Sequence, residues 1–489
     1  MDKCTLRYSR GPSLEQQVLP LLKPLMRAYI LGYASSTTPR LLALCLTIIR
    51  GKMKQKPNQS GIAKSAFQIL RGGLELQRFP TFCATLVGCY TFFGAREYRL
   101  VFDIIIQQLV FIYLPNLSSL VKLRLSRFIS AFIGAWLGLK LLQSKESPEY
   151  IQDVTVETPS GRVSKKIRLA GRTIDLTLFA VTRAIDVVGG SIWSRRRNQL
   201  KAVGKVNRFH ELISKLADPL LFSASSAIIM FNWLYTPEKL PRSYCKWVRS
   251  AAAVDMRLIS GLRQLRNKAL IYGIEPSYPH VFTDLCRDYN WPLEWANHAK
   301  TAPVPCEIVH LKDGPSCEYH ALARLIRSTT WAMSTYLPLN LMLVLRQPSS
   351  KALLRAVRCA MRSSIFLGTY ISLFYYGICL VRSRIGPLIF GKSNASLQYI
   401  DSGLNVAGGC VLCGWSVLIE NSGRRRELAL FLVPKALATF FPRSYPMEQQ
   451  WKESIVFSIS TAIVFTAVTE KSNTVRGLLG RVLKTVLAQ

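Results

Sequence analysis

The chain has 489 residues, 49% hydrophobic and only 19% charged, and its 64 Lys and Arg against 28 Asp and Glu give a formal net charge of +36. So much apolar sequence excludes a disordered polyelectrolyte, and the imbalance of charge is at odds with an ordinary soluble enzyme. Basic and apolar together point to a membrane protein with basic loops. A nucleic-acid binder would gather its basic residues with aromatic ones on one platform, whereas here they are spread over many loops.

The first residues, MDKCTLRYSRGPSLEQQ, lack the uninterrupted apolar stretch of a cleaved signal. Apolar runs follow from Ala28 to Ile49 (broken by Pro39 and Arg40), Phe79 to Ala95, Phe102 to Leu114, Phe128 to Leu142, Ile174 to Val188 and Leu220 to Tyr235. The second half adds Thr329 to Leu345, Ile365 to Val381, Leu404 to Ile419, Leu428 to Phe441 and Ile455 to Val468. Most are shorter than the ~20 residues of an ordinary spanning helix. They read as spans because they are apolar on all faces rather than striped, hold few acids, and end in bases such as Arg424, Arg425 and Arg426. Basic side chains that snorkel let short helices cross by thinning the bilayer. Between the runs lie a basic loop (Lys52 to Lys64), a mixed polar stretch (Ser144 to Arg172), a basic stretch (Ser194 to Lys215) and a long, mainly polar region (Thr236 to Pro305).

The two halves resemble each other. FSASSAII at 222–229 matches FSISTAIV at 457–464, and LTLFAVTRAI at 176–185 matches LALFLVPKAL at 428–437. Arg71 in ILRGGLELQRF aligns with Arg358 in AVRCAMRSSIF, and MRAYILGYASSTTPRLLAL parallels IRSTTWAMSTYLPLNLMLV. Matches kept in one order point to a duplication. The expected fold is all-α, a polytopic transmembrane bundle of two internal repeats of about four to five helices each. The expected divisions are a first repeat over 1–250, a polar linker with the Cys/His motif over 251–324, and a second repeat over 325–489. Five spans per repeat would invert the second copy and four would leave it parallel.

Three groups of residues are candidates for function. Gly134 and Gly138 form a GxxxG step, and Gly408, Gly409 and Gly414 occupy the corresponding run of the second half. Small residues four apart let helices approach closely in lipid. Arg183 and Lys435 lie mid-run at matching places in both repeats, and charge within a bilayer marks a pathway or a buried pair. Asp175, Asp186, Asp218 and Glu420 lie near run ends, where snorkelling accounts for them. Third, Cys306, His310, Cys317 and His320 carry four zinc-capable side chains, enough to close a tetrahedral site. A Cys306–Cys317 disulfide and a plain helix-capping role are the alternatives, and zinc is the one cofactor in view. Cysteines inside apolar runs, Cys379 among them, read as small hydrophobes. No phosphate loop, nucleophile elbow or metalloprotease helix is present, so no enzyme is expected.

At the Cys/His cluster the sequence resembles the transmembrane protein 135 family. CEIVH followed by GPSC precedes a helix with YLPLNLMLVLR. The likeness continues through GGCVLCGWSVLIENSGRRRELALFLVPKAL to FSISTAIVFTA, and covers roughly Pro303 to Val482. Animal members open on the Cys/His motif, whereas here a whole repeat precedes it. The resemblance implies an integral protein of the peroxisomal or mitochondrial membrane, tied to organelle dynamics and to lipid or cholesterol handling. It also implies a distant relation to mitochondrial inner-membrane translocases and a small peroxisomal membrane protein. The expected function is therefore organelle dynamics and lipid homeostasis, by passage of a solute or lipid between repeats. A non-transporting scaffold for membrane assembly or protein import is the rival reading, and a lipid enzyme using the Cys/His cluster is the third. Expected partners are anionic lipids and either a second copy or other organelle-membrane proteins, with no nucleic acid.

Overall fold

A segment crossing a bilayer must satisfy its backbone polar groups internally, so apolar runs that cross it form helices. The computed structural model describes residues 14–49, 59–94, 116–158, 161–203, 208–275, 282–345, 348–470 and 474–487. The apolar run at 102–114 lies outside them. In chain order come α1 (Leu14–Ile49), α2 (Gln59–Gly73), α3 (Phe79–Gly94), α4 (Ser119–Gln143), strands β1 (Ile151–Thr158) and β2 (Gly161–Ala170), α5 (Ile174–Ala202), α6 (Arg208–Tyr235), α7 (Arg242–Ala252) and α8 (Met256–Arg266). Then follow α9 (Cys306–His310), α10 (Cys317–Val344), α11 (Ser350–Leu380), α12 (Asn394–Tyr399), α13 (Asn405–Cys413), α14 (Ser422–Ala438), β3 (Tyr445–Pro446), α15 (Gln450–Glu470) and α16 (Gly477–Leu487).

Six helical stretches among the described residues are long and apolar enough to cross a membrane: Ser119–Gln143, Ile174–Ala202, Arg208–Tyr235, Ser350–Phe390, Asn394–Ile419 and Met447–Glu470. The runs in α1, α10 and α14 are helical but are not among the six, and Phe79–Phe92 in α3 is apolar but shorter.

The placement of side chains agrees with a lipid surround. Large apolar residues point outward, such as Leu137 on α4, Ile185 and Ile192 on α5, Val411 on α13 and Ile459 on α15. Small hydroxyl residues turn inward instead: Ser130, Ser226, Ser364, Ser454 and Ser458 are all fully buried. Several return their hydroxyl to the carbonyl one turn back, as Ser130 does to Ser126 O (2.8 Å) and Ser458 to Ser454 O (2.8 Å). A soluble bundle sorts its residues the other way, and membrane helices pack through small ones. The chain is thus a multi-pass integral membrane protein, and its described residues are mainly helical with one small sheet.

That sheet departs from the all-α expectation. The stretch Ser144 to Arg172 is not all loop: β1 and β2 pair antiparallel, with Val154 opposite Lys165, and Ala170 of β2 pairs with Tyr445 of β3. The β-branched residues Ile151, Val154, Thr155, Val156 and Thr158 favour the extended chain.

Packing gathers the chain into two units, one of Met1–Lys205 with Arg443–Gln489 and one of Val206–Pro442. The sequence reading places its divisions at 250 and 325 instead. The difference arises because α6 packs with the later helices and α15 with the earlier ones. In the first unit α1 packs on α3, α3 on α4, α4 on α15 and α15 on α5. In the second, α10 packs on α11, α11 on α13, α13 on α6 and α6 on α14. Nor is 251–324 a bare linker. Leu265, Tyr272, Phe282, Leu285 and Ile308 bury themselves in a small core with Leu397 of α12.

Candidate functional site

In the first unit α1, α3, α5, α15 and α16 line an apolar cavity of about 350 Å³ that is open on one side. Phe82, Leu86, Phe179, Phe457, Phe465 and Leu483 supply much of its wall. Arg183 is the one charged residue among its described lining residues. It is 5% exposed, donates from Nη1 to the Arg476 carbonyl (3.4 Å), and sets its guanidinium 5.1 Å from the Phe179 ring centre. Arg183 is thus buried at the wall of an apolar cavity, with a backbone carbonyl and an aromatic ring among its partners.

Lys435 lies in the second unit, with Nζ 4.7 Å from the Phe431 ring centre and 5.3 Å from that of Tyr244. Both cations thus stand over a phenylalanine four residues earlier on their own helix. The cation's attraction to the ring face offsets part of its desolvation.

The other ionisable residues are paired rather than snorkelling. Arg443 donates to Asp175 (2.9 Å), Arg476 pairs with Asp186, and Arg426 meets Asp218 at 3.4 Å. Glu420 is 2% exposed and accepts from Ser363 (2.8 Å). Glu453, also buried, accepts from Thr173 (2.6 Å), Thr177 (2.9 Å) and the Tyr445 hydroxyl. A carboxylate removed from water needs such partners, and all but Tyr445 come from distant sequence.

The glycines sit at close helix crossings. A Cβ on Gly134 would stand 2.9 Å from Cys89 Cβ, and one on Gly138 would stand 3.2 Å from Phe82 Cδ2, both on α3. On α13, Gly408 faces Gly377 and Val381, and Gly409 faces Phe374 O. A Cβ on Gly414 would meet Ser223 Cα of α6 at 2.5 Å.

The Cys/His cluster forms where the chain reverses between α9 and α10. Leu311 (φ 59°) and Gly314 (φ 74°) both take positive φ there, and Ser316 caps α10 by accepting from Tyr319 N (3.2 Å). The reversal brings ligand atoms of Cys306, His310 and Cys317 within 4.8 Å of one another. His320, predicted as the fourth member, is not in that group. Its Nδ1 meets Asp313 Oδ2 at 2.6 Å, and its ring stacks on His310 with centroids 4.5 Å apart. Burial pushes the His320 pKa down to about 4, against the opposing pull of Asp313. Burial likewise pushes the Cys306 thiol up, with the Arg382 guanidinium pulling the other way.

Sequence reasoning missed Cys379 near the end of α11. Its Sγ lies 3.3 Å from His310 Nε2, and the Cys317 thiol lies beside both Cys306 and Cys379. All four cysteine and histidine ligand candidates, Cys306, His310, Cys317 and Cys379, belong to the second unit. Below them, Arg382 and Asp401 form a buried pair (Nε to Oδ1, 2.9 Å), with the Tyr272 hydroxyl and Asn405 also donating to Asp401.

Compared with family models, curated proteins and solved structures, the chain matches none.

Proposed function

We propose that this protein serves lipid homeostasis and organelle dynamics in the peroxisomal or mitochondrial membrane, as its resemblance to the transmembrane protein 135 family implies. In this reading it binds and passes an anionic amphiphile, and it catalyses no reaction. The observation that carries the reading is the cavity of the first unit: about 350 Å³, walled by aromatic and aliphatic side chains, with one cation, Arg183, among its described lining residues. That is the volume and character of a small ligand site. An acyl chain would fill the apolar part while its carboxylate or phosphate meets the guanidinium.

The duplication underlies this reading. The two units follow the same order of helix contacts, with α1, α3, α4, α15 and α5 answering to α10, α11, α13, α6 and α14. Close-packing glycines stand on α4 in one and α13 in the other. An acid on α15 or α6, Glu453 in the first turn of one and Asp218 farther along the other, reaches the start of α5 or α14. These correspondences support two copies that have exchanged the helix closing each bundle.

The test is capture of a photoactivatable fatty acid by the purified full chain. Arg183→Gln should lower capture several-fold while leaving capture of an uncharged sterol probe unchanged. Equal capture of the fatty acid by both proteins would refute the site. Imaging of a tagged chain with carbonate extraction checks the compartment, and signal on neither organelle would reject the localisation. Co-purifying import or assembly proteins without lipid capture would favour the scaffold instead.

A further inference from the structure

We propose that Cys306, His310, Cys317 and Cys379 form a closed zinc site that ties the segment before α10 to the end of α11. The proposal stands or falls independently of the lipid reading.

Geometry supplies the ligands. Three of the atoms lie within 4.8 Å of one another, and Cys379 Sγ lies 3.3 Å from His310 Nε2. A tetrahedral ion with Zn–S near 2.3 Å and Zn–N near 2.0 Å sets its ligand atoms about 3.5–3.8 Å apart, so closure needs shifts on the order of an ångström.

Hydrogen bonding supplies the tautomer. His310 Nδ1 lies 2.8 Å from the Gly314 carbonyl, which can only accept. The ring proton therefore sits on Nδ1, and the Nε2 lone pair faces the sulfur atoms. This is the arrangement in which a metal-bound histidine is held by its other nitrogen. His320 then has a supporting role: it stacks on His310 and pairs with Asp313, and Asp313 also pairs with Arg327.

The donor set selects the ion. Three thiols and one imidazole suit zinc and reject hard cations such as magnesium. His310 and Cys379 are 1% and 2% exposed, so the inner side of the site is dry. On binding, three thiol protons leave to solvent as one zinc dication enters, which leaves the site with a single negative charge. The guanidinium of Arg382, paired with Asp401, also acts on Cys306 and would lower the cost of that charge without cancelling it. Four protein ligands leave no open position, so the role is structural rather than catalytic.

The full-length chain, purified in detergent without chelator from zinc-supplemented cells, should carry one zinc. X-ray absorption should show three sulfurs near 2.3 Å and one nitrogen near 2.0 Å. Cys379→Ser should lose most of the metal, His320→Ala should keep it, and Cys379→His should retain it with a shell of two sulfurs and two nitrogens. Cys413→Ser, which removes another fully buried thiol of the second unit, controls for misfolding and should keep the metal. Zinc that is absent or far below one per chain in the wild type would overturn the proposal. So would a Cys306–Cys317 disulfide found by mass spectrometry. A wild-type shell of two sulfurs and two nitrogens, lost in His320→Ala, would place His320 in the fourth position and overturn it as well.

Discussion

Phe374 O lies 2.5 Å from where a Cβ on Gly409 would stand, and a backbone atom cannot swing aside. Gly409→Ala should therefore force α11 and α13 apart and cost about 1–3 kcal/mol. Gly423 has open space around it, so Gly423→Ala should leave stability almost unchanged. Thermal unfolding of both variants in one detergent checks this, and equal midpoints would reject the tight crossing. The glycines were legible because their spacing is local and sets a helix face. Arg183 and Lys435 were legible too, as charges inside apolar runs, but their ring contacts needed the phenylalanines placed four residues earlier. Cys379 was not legible. It sits among apolar residues far along the chain, and only the reversal at Leu311 and Gly314 brings His310 to it. The spacing of Cys317 and His320 suggested one site, yet the turn of α10 directs His320 to Asp313 instead.

At the scale of elements, α8 shows how a short helix in the polar region is secured. Asp255 accepts from Arg257 N (2.9 Å) as its N-cap, and its carboxylate pairs with the Arg257 guanidinium (2.8 Å). Arg257 holds the Asp255 carboxyl below its ordinary range. A group whose pKa is lower in the folded state stabilises above its unfolded value, and that contribution is lost as pH falls through the folded one. Asp255→Ala should cost about 1 kcal/mol at neutral pH. The difference from wild type should vanish in acid below the carboxylate range. Hydrogen exchange across α8 would report it, and a difference that persisted in acid would contradict the assignment. The apolar runs were legible as helices, but their ends were not. The run Ile365 to Val381 covers the last half of α11 and the residue after it, and the helix begins earlier, at Ser350, where Ala356, Ala360, Ser363 and Ser364 turn small side chains inward. Two π-helical turns, Val381–Ile385 and Ile400–Leu404, carry Arg382 and Asp401 respectively, and Gly403 in the second takes φ 148°. Nothing local in the sequence marks those turns, because they serve a contact between distant segments. The hairpin was missed for a related reason: its polar composition reads as loop, and pairing across the sheet decides otherwise.

At the scale of the whole molecule, the two halves carry sequence matches in one order, but which helices close each unit does not follow from them. Similar helices compete for the same place in a bundle, and sequence likeness does not say which copy fills it. The net charge of +36 is the other whole-chain property read directly from composition. Arg195 and Arg196 stand exposed near the end of α5, and Arg424 stands exposed at the start of α14. Each basic residue close to an anionic bilayer contributes about 1 kcal/mol, screened within a Debye length. The chain in nanodiscs containing cardiolipin or phosphatidylserine should therefore melt a few degrees higher than in phosphatidylcholine alone. The increment should shrink as salt rises, because surface attraction is what supplies it. Replacing Arg195 and Arg196 by Gln should reduce the increment without lowering the midpoint in the neutral lipid. An increment that ignored salt would assign the effect to lipid packing rather than to charge. Equal midpoints in all three lipids would show that the basic loops do not engage the membrane surface at all.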